Sequence, residues 1–234
     1  MQKDIFLKKI NPSIDAVLFD LDGTLLDTAP DLVLALNNLL KSKNKPPADY
    51  EVAKYFVSQG AAALTKHGFP EVTDEEKFED LRLEFLDHYK SAVCVDTVAF
   101  DGIEELLASI ENNTNPWGIV TNKPGWLTTP LLEKMSLLSR SSCVVSGDTL
   151  PLRKPHPDPL LHACKSIHLS PANTVYLGDD PRDIYAGNAA GMYTCIAAYG
   201  YIDKDIDIES WGADFIIHHP SELLEHIQLN SNAN

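Results

Sequence analysis

A chain of 234 residues has room for one medium domain, or for a core domain carrying a smaller inserted one. Its 44% apolar and 23% charged residues suit a packed core and exclude a disordered chain. The formal net charge of −15 repels nucleic acid and anionic membrane, so neither is an expected partner. An anionic substrate stays open, because a metal ion and a few local cations reverse the field inside one pocket.

The cysteines Cys94, Cys143, Cys164 and Cys195 are scattered and form no C-x-x-C pair. That argues against a zinc site or a dithiol motif and fits apolar packing in a reducing compartment. The amino-terminal MQKDIFLKKINPS has no sustained apolar stretch and no small-residue cleavage site. No apolar run approaches the roughly 18–20 residues that span a bilayer. A soluble cytoplasmic protein is expected.

The first strong signal is DAVLFDLDGTLLDT. Ala16 to Phe19 is apolar without polar alternation, which predicts a strand buried on both faces. Asp20 follows directly, and Gly23 with Thr24 marks a turn. A carboxylate at the carboxyl end of such a strand sits where open α/β sheets keep their ligand sites. From about Asp27 to Val95 the pattern turns helical. PDLVLALNNLL has helical spacing with Pro30 in a first turn, YEVAKYFVSQGAAAL carries a second apolar patch, and TDEEKFEDLRLEFLDHYKSAV opens on Thr73 and acidic residues. This stretch reads as a helical bundle inserted into something else.

After about Asp96 strand and helix alternate. Strands are predicted at WGIVT (Trp117 to Thr121), CVVS (Cys143 to Ser146), TVYLG (Thr174 to Gly178), TCIAA (Thr194 to Ala198) and ADFII (Ala213 to Ile217). Helical segments such as DGIEELLASIE, PDPLLHACKSI and DIYAGNAAG fall between them. The alternation predicts a parallel sheet covered by helices. The tail QLNSNAN is expected to fray.

Four short motifs end or follow these strands: D-L-D-G-T at Asp20 to Thr24, V-T-N at Val120 to Asn122, R-K-P-H-P at Arg153 to Pro157, and G-D-D-P-R-D at Gly178 to Asp183. Singly, each has a plain reading as a turn, a cap or a solvated side chain. Together and in this order they resemble the haloacid-dehalogenase superfamily, over nearly the whole chain. The resemblance implies an α/β fold, with a Rossmann-like parallel sheet core at residues 1–26 and 97–234 and an inserted α-helical cap at 27–96. It implies a phosphatase in which Asp20 attacks phosphorus to form an aspartyl phosphate and Asp22 is general acid and base. Thr121 would donate a hydrogen bond to a phosphate oxygen, and Lys154 would neutralise charge beside Asp20. Mg2+ would be held by Asp20, Asp179 and the backbone carbonyl of Asp22, with Asp183 acting through water or orienting the lysine.

Backbone N–H groups near Gly23 and Asn122 would add phosphate contacts. Gly60, in SQGAAAL, is either part of a flexible loop offering N–H groups to substrate or an ordinary helix break. The role of Asp180 is open, and Arg182 is expected to face solvent. The chemistry asks for such a set. A carboxylate is a weak nucleophile that a phosphate dianion repels, so a divalent cation and a lysine must offset that repulsion.

At finer grain, FDLDGTLLDTAPDL, VTNKP, SGDTLPLRKPHPDPLLHAC and AYGYI resemble the phosphoglycolate phosphatases and their near relatives. A sister group acts on N-acetylmuramic acid 6-phosphate, and WGADFIIHHPSEL resembles that group too. The partner implied is a small phosphorylated metabolite, 2-phosphoglycolate first and N-acetylmuramic acid 6-phosphate as the alternative. Both carry a carboxylate, so a nearby cation would not separate them. Lys123 and His67 are candidate contacts, each expected rather on solvated surface. Phosphoryl transfer to another acceptor, as in β-phosphoglucomutase, shares the four motifs. A receiver-like signalling module fits less well: receivers are shorter, lack a helical insert and need a long-lived aspartyl phosphate. A monomer or weak homodimer is expected.

Overall fold

Six short strands form one parallel sheet in a computed structural model that describes residues 12–230. They are β1 (Ala16–Phe19), β2 (Trp117–Val120), β3 (Cys143–Val145), β4 (Thr174–Gly178), β5 (Tyr193–Ala197) and β6 (Phe215–Ile217). Their spatial order is β3-β2-β1-β4-β5-β6, and every neighbouring pair is parallel. The longer helices among the described residues are α1 (Ala29–Ser42), α2 (Ala61–Gly68), α3 (Glu75–Ser91), α4 (Ile103–Asn112), α5 (Gly125–Lys134), α6 (Asp158–Ser166) and α7 (Pro181–Ala190).

All four residues of β1 are buried, as its unbroken apolar run requires. Leu18, Val120, Val145 and Tyr176 pack on one face of the sheet with Leu160 and Cys164 of α6 and Ala186 of α7. Val17, Phe19, Ile119, Val175 and Leu177 pack on the other, in a core that continues through α4 and α5 into the helical insert. Full burial of a side chain such as Phe19, which meets Trp117 edge-on at 6.2 Å, contributes about 1.5–3 kcal/mol. The strand order reverses between β1 and β4. Phe19 lies opposite Leu177, and Asp20 N donates to Leu177 O at 2.8 Å, so Asp20 emerges at the switch point of the sheet.

The helical insert leaves and rejoins the core side by side, where Leu26–Asp27 pairs antiparallel with Val98–Ala99. α1 packs against α3, and α2 against both, giving the insert its own apolar centre. The two crossings are tied by Asp31, a fully buried carboxylate. It accepts from Val95 N at 3.0 Å, Asp96 N at 2.9 Å, Thr97 N at 3.2 Å and Thr97 Oγ1 at 2.6 Å. α3 starts one residue later than expected, because Asp74, not Thr73, caps it by accepting from Lys77 N at 2.9 Å. The patch YEVAKYFVSQGAAAL divides into a helical turn (Tyr50–Ala53), a 3-10 turn (Lys54–Phe56) and α2, which begins after Gly60 at φ +90°.

β2 and β3 are each observed one residue shorter than predicted, because Thr121 and Ser146 already turn into the loops above the sheet; β6 is two residues shorter, and β5 is shifted by one. The tail departs from expectation. Gln228–Leu229 pairs parallel with Ser13–Ile14, and Asn230 N donates to Ile14 O at 2.9 Å. The rest of the tail and the amino-terminal reading concern residues outside the described ones. No helix among the described residues is long and apolar enough to cross a membrane.

Candidate active site

The site is built on the residues that follow β1, β2, β3 and β4. Asp20 ends β1, and Asp179 ends the neighbouring β4. Asp183 stands in the first turn of α7, held by a capping box with Asp180. Carboxylate oxygens of Asp20, Asp179 and Asp183 all lie within 4.8 Å of one another, and all three residues are buried. Lys154 projects into this cluster from the segment after β3. Its Nζ is 2.8 Å from Asp20 Oδ1 and 2.7 Å from Asp183 Oδ1, and it donates to the Tyr176 hydroxyl at 2.8 Å. That hydroxyl in turn donates to Val120 O at 2.8 Å. The spacing in sequence is long, yet the four chemical groups converge because parallel strands deliver all their carboxyl ends to one edge.

Three carboxylates share one lysine, so the cluster carries excess negative charge in a dry place. Burial raises the Asp20 carboxyl to about 7, with Lys154 pulling down and Asp183 pushing up. Burial, then Asp20 and Asp183, push Asp179 well above the usual carboxylate range. Burial works against the Lys154 charge, but Asp183 and Asp20 outweigh it and raise the lysine. Asp20 Oδ1 is buried and accepts no aligned hydrogen bond, its contact with Lys154 being an ion pair. Hard oxygen donors in charge excess, one of them lacking an aligned partner, fit a divalent cation such as magnesium. Asp20 and Asp179 would hold it, with Asp183 behind them.

Asp179 is gripped by its surroundings. Oδ1 accepts from Thr24 Oγ1 at 3.2 Å, and Oδ2 from Ser58 Oγ at 2.6 Å and Tyr201 N at 3.0 Å. Gly23, at φ +86°, lies so close that a Cβ there would meet Asp179 Oδ2 at 2.1 Å. Its own N–H donates to Leu26 O at 3.0 Å, and that of Gly60 to Val57 O at 2.8 Å. Neither amide is therefore free for substrate in this arrangement. Each glycine serves a tight turn and Gly23 also a close approach, while Gly60 lines the cavity together with Ala61 and Ala62 at the start of α2.

Thr121 is buried, and its Oγ1 accepts from Lys123 N at 3.1 Å, which leaves its own proton to donate. The Asn122 side chain is engaged with the Lys154 backbone in both directions, Nδ2 to Lys154 O at 3.0 Å and Lys154 N to Oδ1 at 3.1 Å. It thereby fixes the segment that presents the lysine. Lys123 is not on solvated surface. It is 9% exposed, with Nζ 2.9 Å from Asp22 Oδ1 and 3.2 Å from Oδ2. No local pattern in V-T-N-K announces this, because the partner, Asp22, comes from another segment.

Arg182 does not simply face solvent. It forks onto Asp180 at 2.7 and 3.1 Å and donates to Ser58 O of the insert at 2.6 Å. Ser58 thus meets the core at two points, a contact no local sequence pattern announces. His67 stacks on Phe56 at 4.5 Å within the insert. Above the cluster lies a cavity of about 1020 Å³, walled by Asp20, Asp22, Thr121 and Lys154 below and by Leu64 and Phe85 above.

A carboxylate cluster with a buried lysine at the switch point of a doubly wound sheet, under a helical cap, defines a capped α/β enzyme. Residues 17–197 match the haloacid dehalogenase-like hydrolases, and the chain belongs to that family. It is 41% identical over 208 residues to an N-acetylmuramic acid 6-phosphate phosphatase of Pseudomonas putida, covering 89% of this chain and 93% of that one. It is 40% identical over 207 residues to a phosphoglycolate phosphatase of Xylella fastidiosa, covering 88% and 90%. A crystal structure of a predicted phosphoglycolate phosphatase from Haemophilus somnus has a TM-score of 0.81 at 28% identity, covering 91% of this chain and 97% of that one. In this company the chain is a phosphoric monoester hydrolase.

Proposed function

We propose that the protein is a magnesium-dependent phosphatase that hydrolyses a carboxylate-bearing phosphomonoester by way of a phosphoryl group carried on Asp20. The observation that carries this reading is Lys154 Nζ standing between Asp20 and Asp183 at 2.8 and 2.7 Å, within the same cluster as Asp179. Asp20, Asp179 and the backbone carbonyl of Asp22 would hold the magnesium, which when bound supplies positive charge that screens Asp20 from the phosphate and polarises phosphorus. Asp20 attacks phosphorus, the ester P–O bond breaks, and Asp22 gives a proton to the departing alkoxide. Asp22 then takes a proton from the water that attacks the aspartyl phosphate. The bond from phosphorus to Asp20 breaks, and inorganic phosphate leaves. Lys154 and the Thr121 hydroxyl stabilise charge on the phosphoryl oxygens.

The cavity favours the larger of the two candidate substrates. At about 1020 Å³, with Leu64, Phe85, Leu86 and Trp126 on its walls, it suits a sugar-sized molecule better than a two-carbon acid. We therefore rank N-acetylmuramic acid 6-phosphate first and 2-phosphoglycolate second, the reverse of the order drawn from the sequence. The second is kept because relatives of 40% identity carry that activity in their names. The test is phosphate release with and without magnesium on both compounds. Magnesium-dependent turnover is expected, with the higher kcat/KM on the amino-sugar phosphate. Turnover of neither would contradict the reading, and a preference for 2-phosphoglycolate would reverse the ranking.

A further inference from the structure

A buried ion pair beside the acidic cluster joins three parts of the molecule. The ammonium of Lys123, in the turn after β2, lies 2.9 Å from Asp22 Oδ1 and 3.2 Å from Oδ2, with side chains 6% and 14% exposed. Thr28 Oγ1, at the first crossing into the cap, donates to the same Oδ1 at 2.6 Å. On its other side Lys123 Nζ stands 4.5 Å above the ring of Tyr89, a fully buried residue of the cap helix α3. Taking an ammonium out of water is costly unless a partner recovers the loss, and the gain here falls on one carboxylate. Charge, hydroxyl and ring together leave Asp22 little rotational freedom. Oδ1 receives the two shorter bonds and Oδ2 only the longer one, so Oδ2 is the oxygen less committed to the protein.

We propose that Lys123 is a positioning residue for Asp22, fixing the carboxylate in one orientation over the cavity and, through the ring of Tyr89, tying that orientation to the cap. The inference rests on the reading of Asp22 as the group that moves the proton. A residue that only supports the fold would slow all substrates alike. A residue that aims a proton donor matters most where the leaving group needs the proton. An alkoxide needs it, whereas p-nitrophenolate leaves without it.

The experiment measures kcat/KM, which reports the steps up to departure of the leaving group and not the later hydrolysis common to all substrates, on p-nitrophenyl phosphate and on whichever of the two alkyl phosphates turns over faster. The proteins are wild type, Lys123→Met, Lys123→Arg, Asp22→Asn and the double variant Asp22→Asn/Lys123→Met. Lys123→Met should lower kcat/KM on the alkyl phosphate about tenfold more than on p-nitrophenyl phosphate, a modest share of what general acid catalysis supplies. Lys123→Arg should recover part of the loss, and the double variant should fall no further than Asp22→Asn. Equal losses on both substrates, or losses that multiply in the double variant, would overturn the proposal. Should Lys123→Met not fold, the double variant, which strands no buried charge, decides by the same comparison with Asp22→Asn. If Asp22→Asn itself shows no leaving-group preference, the proton-transfer reading falls and the role of Lys123 with it. If Asp22→Asn shows the preference and Lys123→Met does not, only the role of Lys123 falls.

Discussion

Among the described residues, each cation on the cavity wall except one pairs with a carboxylate. Lys154 pairs with Asp20 and Asp183, Lys123 with Asp22, Arg182 with Asp180, and Arg82 with Glu79. Arg153 lines the same cavity, is exposed, and has no carboxylate partner among the described residues. A substrate carboxylate would meet it without displacing an internal partner. Arg153→Gln should raise KM for a carboxylated phosphomonoester roughly tenfold, the worth of one charge-assisted hydrogen bond, while leaving KM for p-nitrophenyl phosphate within twofold. An equal rise on both would remove Arg153 from substrate binding. Asp20, Asp179 and Lys154 were legible as residues because each follows a strand signal and has chemistry on its face. Lys123 was misjudged because burial of a lysine is decided by a partner from another segment, here Asp22. Ser58 was invisible for the same reason: its bond to Asp179 joins a cap loop to a core strand end.

Elements were read with more success than their joints. The strands β1 to β6 and the helical insert follow from apolar runs and spacing, which are local properties. The crossing between insert and core depends instead on Asp31, whose four accepted bonds to residues 95–97 have no sequence pattern behind them. Tyr201 adds to the joint, its hydroxyl donating to Asp27 Oδ1 at 2.6 Å and accepting from Ala29 N at 2.8 Å. Asp31→Ala orphans the buried N–H and hydroxyl of Thr97 and releases the N–H groups of Val95 and Asp96, and should cost about 3 kcal/mol, lowering Tm by about 6–12 °C. A shift under about 2 °C in a thermal melt would show that the crossing does not depend on this carboxylate. The expected fraying of the tail failed at the same level for residues 228–230, the part of it that is described. Strand pairing between Ser13–Ile14 and Gln228–Leu229 joins opposite ends of the chain, and two residues on each side are too few to show a period.

The molecule as a whole gathers negative charge at one point and leaves it unbalanced. The unfolded chain ionises Asp20 near 3.8, while in the fold burial raises it to about 7. The folded state thus keeps protons that the unfolded state has released. Stability from this group is present below 3.8 and is lost as pH rises through about 7. A cation binding the cluster must displace those protons at low pH and finds the carboxylates already ionised at high pH. Millimolar magnesium should therefore raise Tm more at pH 8 than at pH 6, and Asp179→Asn should reduce both increments. An increment that is larger at pH 6, or untouched by Asp179→Asn, would place the cation elsewhere.

The central claim is that Asp20 carries the phosphoryl group while Lys154 and the acidic cluster hold it there, and peptide mass spectrometry after rapid acid quench during turnover addresses it directly. With magnesium and substrate present, the peptide containing Asp20 should gain the mass of one phosphoryl group, absent from Asp20→Asn. Turnover with that mass on another residue, or continued turnover of a folded Asp20→Asn protein, would contradict the account.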